Sequence, residues 1–303
     1  MERMKKIMNC KNFEEVFKLK GKDKFDIFLI PEKDLEYKNE YDINVARWLL
    51  ELIALTYSEN ETFIKNSLKK ADLNLELYSF FNINEAEVAI YYNKNIIIVV
   101  LNGTTVEDIN DILCDINIFY EKTNFGKIHK GFFEYYKKLR KPVFSSLLKL
   151  NKEKNRKIYW TGHSLGGALA VIFALIFGEG VIYTFGSPKV GDKNFAEYCN
   201  KNLIHYRIYN EDDLITKLPP IDFLYEHCGK DIFFRKKSIF RITKYINNML
   251  YFIIMLVLKI TNKNIIMFFQ ATNFLANSIA SHSVSVYREM LWTNKYDCFI
   301  KIN

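Results

Sequence analysis

Two kinds of hydrophobic pattern alternate along the chain. From Ile43 to Tyr57, apolar residues at Val45, Leu49, Ile53 and Leu55 recur at helical spacing, and Asp42 stands where an N-cap belongs. Residues 61–70 predict a second helix. The period then changes. Glu87–Tyr92 and Asn95–Leu101 read as two strands joined at Asn93-Lys94. In the second, every position from Ile96 to Leu101 is apolar, the pattern of a strand covered on both faces. It ends in Asn102-Gly103-Thr104-Thr105, a tight turn that carries a hydroxyl. Residues 105–124 mix aliphatic and acidic positions. Residues 129–151 predict a helix with Pro142 as a candidate interruption. Strands follow before Gly162, at Val181–Phe185 and at Leu203–Tyr209, with an apolar helix over Ala168–Phe177. Alternation at this spacing predicts an α/β fold with a mostly parallel sheet. Residues 1–40 are lysine-rich and lack a clear period, which predicts an N-terminal extension with a strand near Phe25–Ile30. Residues 41–303 form the main domain.

Composition narrows the picture only slightly. With 303 residues, 49% of them hydrophobic, the chain is long and apolar enough for one large core. The net charge of +8 suggests an anionic surface as partner. Zinc-type Cys/His spacing, a helix-turn-helix and an arginine-rich arm are all missing, which argues against nucleic acid. The five cysteines (Cys10, Cys114, Cys199, Cys228, Cys298) are odd in number and scattered, as expected of free thiols in a reducing compartment. The first residues lack the apolar stretch of a secretory signal, and no run reaches the ~20 apolar residues of a membrane span. The expectation is an intracellular protein, cytoplasmic or peripheral to a membrane. Residues 230–263 carry eight lysines and arginines against the single acid Asp231, with Ile239, Ile242, Ile246, Met249 and Ile253 at helical spacing. Such a stretch suits the interface of an anionic membrane.

The chemistry concentrates in Thr161-Gly162-His163-Ser164-Leu165-Gly166-Gly167-Ala168. Gly-x-Ser-x-Gly between a strand and an apolar helix is a nucleophile-elbow pattern. The small residues let a sharp turn pass between neighbouring backbones, and the helix N-terminus favours developing negative charge. A serine needs a base, and the base an orienting carboxylate. In folds of this kind acid and histidine follow the serine in that order. Glu211, Asp212 and Asp213 lie at the end of a later strand, and the histidines beyond them are His227 and His282. Order and spacing leave these combinations open.

Over roughly residues 41–303 the sequence resembles the class 3, fungal-type lipases of the α/β-hydrolase group. The resemblance rests on Gly103-Thr104 after a buried strand, Asp111-Ile-Leu-Cys-Asp115, His129-Lys-Gly131-Phe132 and the elbow itself. It rests further on Phe185-Gly-Ser-Pro-Lys-Val-Gly191 with Phe195-Ala196, Asp213 with Leu218-Pro219-Pro220, His227-Cys-Gly229, and His282 with Tyr287. It implies a mostly parallel central sheet flanked by helices, with a lid near residues 105–122. It implies Ser164 as nucleophile, Asp213 as acid and His282 as base. The backbone N–H groups of Leu165 and Thr104 would form the oxyanion hole, with the Thr104 hydroxyl as a third donor. His227 falls on a structural His-x-Gly motif, and structural roles are expected for His129, His163 and His205. The implied activity is hydrolysis of acyl lipids, of triacylglycerol lipase or phospholipase A type, without metal or cofactor. The alternative is a lipase-like lipid-binding or signalling scaffold. Two departures stand out: Asn102 replaces the family's usual arginine, and Ile112 replaces a common tryptophan. The first bears on the geometry of the oxyanion loop and on lid behaviour.

Overall fold

The computed structural model describes residues 35–70, 74–83, 86–103, 119–219, 224–236, 281–292 and 296–301. The expected strand near Phe25–Ile30, Thr104, the 111–115 motif and residues 237–263 of the basic stretch lie outside the described residues. Helix α1 (Ile43–Thr56) starts where its N-cap predicts, with Asp42 Oδ1 accepting from the N–H groups of Asn44 and Val45. Helix α2 spans Glu61–Lys70. Strands β1 (Glu76–Ile83), β2 (Ala86–Tyr92) and β3 (Ile96–Asn102) form an antiparallel run. A hairpin, β4 (Tyr120–Thr123) with β5 (Gly126–His129), precedes the long helix α3 (Lys130–Glu153). Residues 120–122, expected within a lid, are therefore strand.

Pro142 does not interrupt α3. Then come β6 (Lys157–His163), helix α4 (Leu165–Phe177), β7 (Val181–Phe185), helix α5 (Lys193–Asn202), β8 (Ile204–Asn210) and β9 (Lys230–Lys236). Helix α6 (Val284–Trp292) and β10 (Tyr296–Lys301) close the described chain. Lys230–Lys236, the start of the basic stretch, is thus a strand rather than part of an amphipathic helix. Within it Arg235 pairs with Glu211, with nitrogen–oxygen distances of 2.5 and 2.6 Å.

Among the described residues eight strands form one sheet in the order β1-β2-β3-β6-β7-β8-β9-β10. The five from β3 to β9 in that order are parallel, which puts their C-terminal ends on one edge. One face carries α1 and α6, packed through Trp48, Leu49, Ile53, Tyr287 and Met290. The other carries α3 and α4 through Leu139, Val143, Leu169 and Phe173. This two-sided cover explains why β3 and β7 are apolar and buried at nearly every position. Among the described residues no helix is long and apolar enough to cross a membrane.

Candidate active site

Ser164 sits between the end of β6 and the start of α4, at the C-terminal edge of the parallel strands. Its φ of 58° is positive, a strained value for a residue with a side chain. The strain persists because the surroundings leave no room to relax. A Cβ at Gly166 would lie 1.9 Å from Leu101 O, and one at Gly162 would lie 2.3 Å from Gly166 C. The serine N–H donates to Phe185 O at 3.0 Å, which pins the turn to the neighbouring strand.

The acid and the imidazole arrive from elsewhere. Asp213 follows β8 and is fully buried. Its Oδ1 accepts from Ile215 N at 2.9 Å. Its Oδ2 accepts from His282 Nδ1 and from the Tyr287 hydroxyl, both at 2.7 Å. With the Nδ1 hydrogen committed to Asp213, His282 keeps its lone pair on Nε2, which is buried and without a hydrogen-bond partner. Nearby Gly186, at φ 60°, clears the space: a Cβ there would stand 3.0 Å from Asp213 Oδ2, His282 Cε1 and Tyr287 Oη alike. So the structure brings Asp213 and His282 into contact, and both lie beside the Phe185–Gly186 backbone to which Ser164 is bonded.

His163 ties the serine turn to the histidine segment. Its ring lies 4.5 Å from that of His282, centroid to centroid. Its Nε2 donates to His282 O at 2.7 Å, and its Nδ1 meets the Tyr57 hydroxyl at 3.1 Å. Burial, then the adjacent His282, hold its pKa well below the usual histidine value, so it stays neutral and acts as a brace. His227 donates through Nε2 to Thr216 O at 2.6 Å, on the turn just after Asp213. His205 lies within β8 and bonds the Thr184 hydroxyl at 2.9 Å. Both serve as packing and bracing groups, as expected.

Two residues in this site carried no role in the sequence reading. Tyr287 was visible only as part of a motif with His282; its hydroxyl donates to Asp213 and accepts from Asn210 N at 3.2 Å. Lys189, inside the Phe185–Gly191 motif, donates from Nζ to Lys217 O and Pro219 O at 3.2 and 3.1 Å. Lys189 and His227 thereby clamp the loop that carries Asp213. Their signal in the sequence was the conjunction of separated motifs, which says that residues matter together but not which atoms meet.

The oxyanion side is half described. Leu165 is the first residue of α4, so its N–H has no helical acceptor one turn back. Gly103 packs against it, its missing Cβ only 2.7 Å from Leu165 Cβ. Thr104 lies outside the described residues. Among the described residues no group of three or more His, Cys, Asp or Glu side chains could hold a metal.

Comparison with known proteins bears on the fold. Residues 98–223 match the family described as lipase (class 3). The chain is 33% identical to a lipase of Rhizomucor miehei over 156 residues, 48% of this chain and 43% of that protein. It is 27% identical to a secreted mono- and diacylglycerol lipase of Malassezia globosa over 213 residues, 64% of this chain and 69% of that protein. The chain thus spans less than half the length of the first of these relatives. The solved native Rhizomucor miehei lipase propeptide complex superposes with a TM-score of 0.57 at 25% identity, over 63% of this chain and 68% of that one. A triacylglycerol lipase whose catalytic centre is described as a serine protease triad superposes at 0.56 and 25% identity, over 63% of this chain and 79% of that one. With its strand–elbow–helix geometry, its mostly parallel sheet and these matches, the chain resembles the class 3 lipases over residues 98–223 and has the α/β-hydrolase fold.

Proposed function

We propose that the protein hydrolyses acyl esters of glycerolipids, with Ser164 as nucleophile, His282 as general base and acid, and Asp213 as the orienting carboxylate. One observation carries the reading: a buried imidazole bonded to a buried carboxylate on one nitrogen, with the other nitrogen unpartnered, beside a serine on a strained turn. In this scheme His282 Nε2 takes the Ser164 proton as the hydroxyl attacks the ester carbonyl. The imidazolium then protonates the departing glycerol oxygen. Water, deprotonated by the same nitrogen, releases the fatty acid. The N–H of Leu165, joined by Thr104, stabilises the tetrahedral oxyanion. Nothing in this sequence of steps calls on a metal or cofactor.

Neutral acylglycerols are the first substrates to test, because the relatives above carry names that specify them. Phospholipids, acted on in the manner of phospholipase A, are the second. A fluorophosphonate should label Ser164 covalently, and Ser164→Ala should lower kcat on a nitrophenyl ester by ~10⁴–10⁶. Absence of both labelling and turnover in the wild type would point instead to a lipid-binding scaffold. For membrane contact, the basic stretch beyond Lys236 is the candidate. Binding to vesicles with and without anionic lipid measures it, and equal binding at low and high salt would refute it. Cys199, Cys228 and Cys298 are free thiols, which supports a reducing compartment as the setting.

A further inference from the structure

Helix α3 has one face in the core and one in solvent. Phe132, Tyr136, Leu139, Val143 and Leu147 recur at helical spacing and are buried. The opposite stripe carries Lys130, Lys137, Lys138, Lys141, Lys149 and Lys152 along roughly 33 Å of helix. Glu134 is the acid on this stripe among the described side chains, and Lys137 Nζ donates to it at 3.0 Å. Lys137 also pairs with Glu121 of β4 at 3.3 Å. Lys130, Lys138, Lys141, Lys149 and Lys152 are exposed and form no ion pair with a described side chain.

Two bare apolar side chains stand among these lysines. Phe119 and Leu148, each 63% exposed, are the most exposed large hydrophobics among the described residues. Leu148 lies on the stripe itself, between Lys141 and Lys152. Phe119 stands at its N-terminal end, where its carbonyl accepts from Lys130 N at 2.9 Å. Solvation alone accounts for a lysine-rich face, but not for apolar side chains left in water along it.

We propose that the outer face of α3 docks the protein on an anionic membrane, with the lysines against charged headgroups and Leu148 and Phe119 entering the boundary with the acyl chains. This surface is separate from the basic stretch beyond Lys236, and the docking is independent of the hydrolysis proposed above. Nucleic acid fits the face less well. Single strands need aromatic rings on which bases can stack. Phe133 and Tyr135, which flank the stripe, lie under Lys137 Nζ and Lys138 Nζ, 4.9 and 5.5 Å from the ring centres. A duplex backbone offers no apolar surface to Leu148. The geometry also sets an orientation. His129 N donates to Val190 O at 2.9 Å, just beyond β7, so α3 starts at the C-terminal edge of the parallel strands. It ends near Asn95, before β3, whose side chain accepts from Lys154 Nζ at 3.3 Å. Docked along this face, the protein holds the edge that carries Ser164 beside the membrane, at the Phe119 end.

Co-sedimentation with vesicles tests the docking, on Ser164→Ala protein so that any hydrolysis is removed and the lipid stays intact. The protein should bind vesicles of phosphatidylcholine mixed with phosphatidylserine, and should lose most of that binding in pure phosphatidylcholine or at high salt. A variant carrying Lys141→Gln, Lys149→Gln and Lys152→Gln should bind on the order of a hundredfold more weakly, roughly fivefold per lysine. The variant carrying Lys141→Arg, Lys149→Arg and Lys152→Arg keeps the charge and should bind as before. Leu148→Ser should weaken binding about tenfold at low and high salt alike. Unchanged Tm in these variants, all at exposed positions, reports an intact fold. Undiminished binding by the glutamine variant overturns the proposal. So does tighter retention of a duplex oligonucleotide than of anionic vesicles at the same salt, which assigns the face to nucleic acid. If Lys244→Gln, Lys259→Gln and Lys263→Gln together abolish binding while the α3 variant binds normally, the contact belongs beyond Lys236 and the α3 face is simply solvated. Because binding is read without turnover, a failure of the hydrolase reading would leave each of these results intact.

Discussion

Removal of one hydroxyl, by Tyr287→Phe, isolates what holds the acid in place. Tyr287 is fully buried, and its ring packs edge-on to Phe185, so phenylalanine refills the same space. Two hydrogen bonds are lost. The first is the donation to Asp213 Oδ2 at 2.7 Å, a bond to a carboxylate worth about 1.5–3 kcal/mol. The second leaves Asn210 N, previously 3.2 Å from the hydroxyl, without an acceptor, at a cost of roughly 1 kcal/mol. The sum is about 3 kcal/mol of stability. For a domain of this size that corresponds to a Tm lowered by roughly 6–10 °C, measured by calorimetry or circular dichroism. Because Asp213 keeps His282 Nδ1 and Ile215 N as partners, kcat should fall only about tenfold and KM should not move. A Tm within 1 °C of wild type would refute the view that this hydroxyl anchors the carboxylate. So would a kcat loss as large as that of Ser164→Ala, which would place the tyrosine among the reacting groups.

Two further substitutions probe the frame around the site. Gly166→Ala places a methyl 1.9 Å from Leu101 O, so the elbow and the β3 end must separate; activity should fall at least a hundredfold, with a stability loss of about 1–3 kcal/mol by urea titration. Full activity would mean that the turn moves freely. Arg288→Met removes the partner of Glu51, a carboxyl only 2% exposed whose pKa burial already pushes up to about 7 against the arginine's pull. Unfolding should become easier by about 3–5 kcal/mol, and more so at pH 8 than at pH 5, where the stranded carboxyl is neutral. A loss independent of pH would contradict the buried-charge explanation.

The chain itself determined the elements whose pattern is local. Asp42 capping α1, the all-apolar β3 and the glycines around Ser164 could each be read directly, because helix period, two-sided burial and turn sterics leave marks within a few residues. The elements that were missed have weaker marks. β1 alternates only loosely between exposed and buried positions. β9 is rich in charge because Arg235 and Asp231 find partners across the sheet, Glu211 and Arg207. Its lysines and arginines therefore looked like a solvated or membrane-facing stretch. Pro142 signalled a break, yet α3 runs through it.

The site divides along the same line. The serine was legible from its own pentapeptide. The acid and the histidine were legible only through resemblance, since spacing alone left three acids and two histidines open. What the tertiary structure decided is which atoms meet: Asp213 Oδ2 against His282 Nδ1 across 69 positions of sequence, Tyr287 closing the same carboxylate, and His163 bracing the segment that carries the imidazole. Local sequence encodes torsions and faces. Convergence of distant side chains, and the burial that sets their charge, arises only once the parallel strands bring their C-terminal ends to one edge.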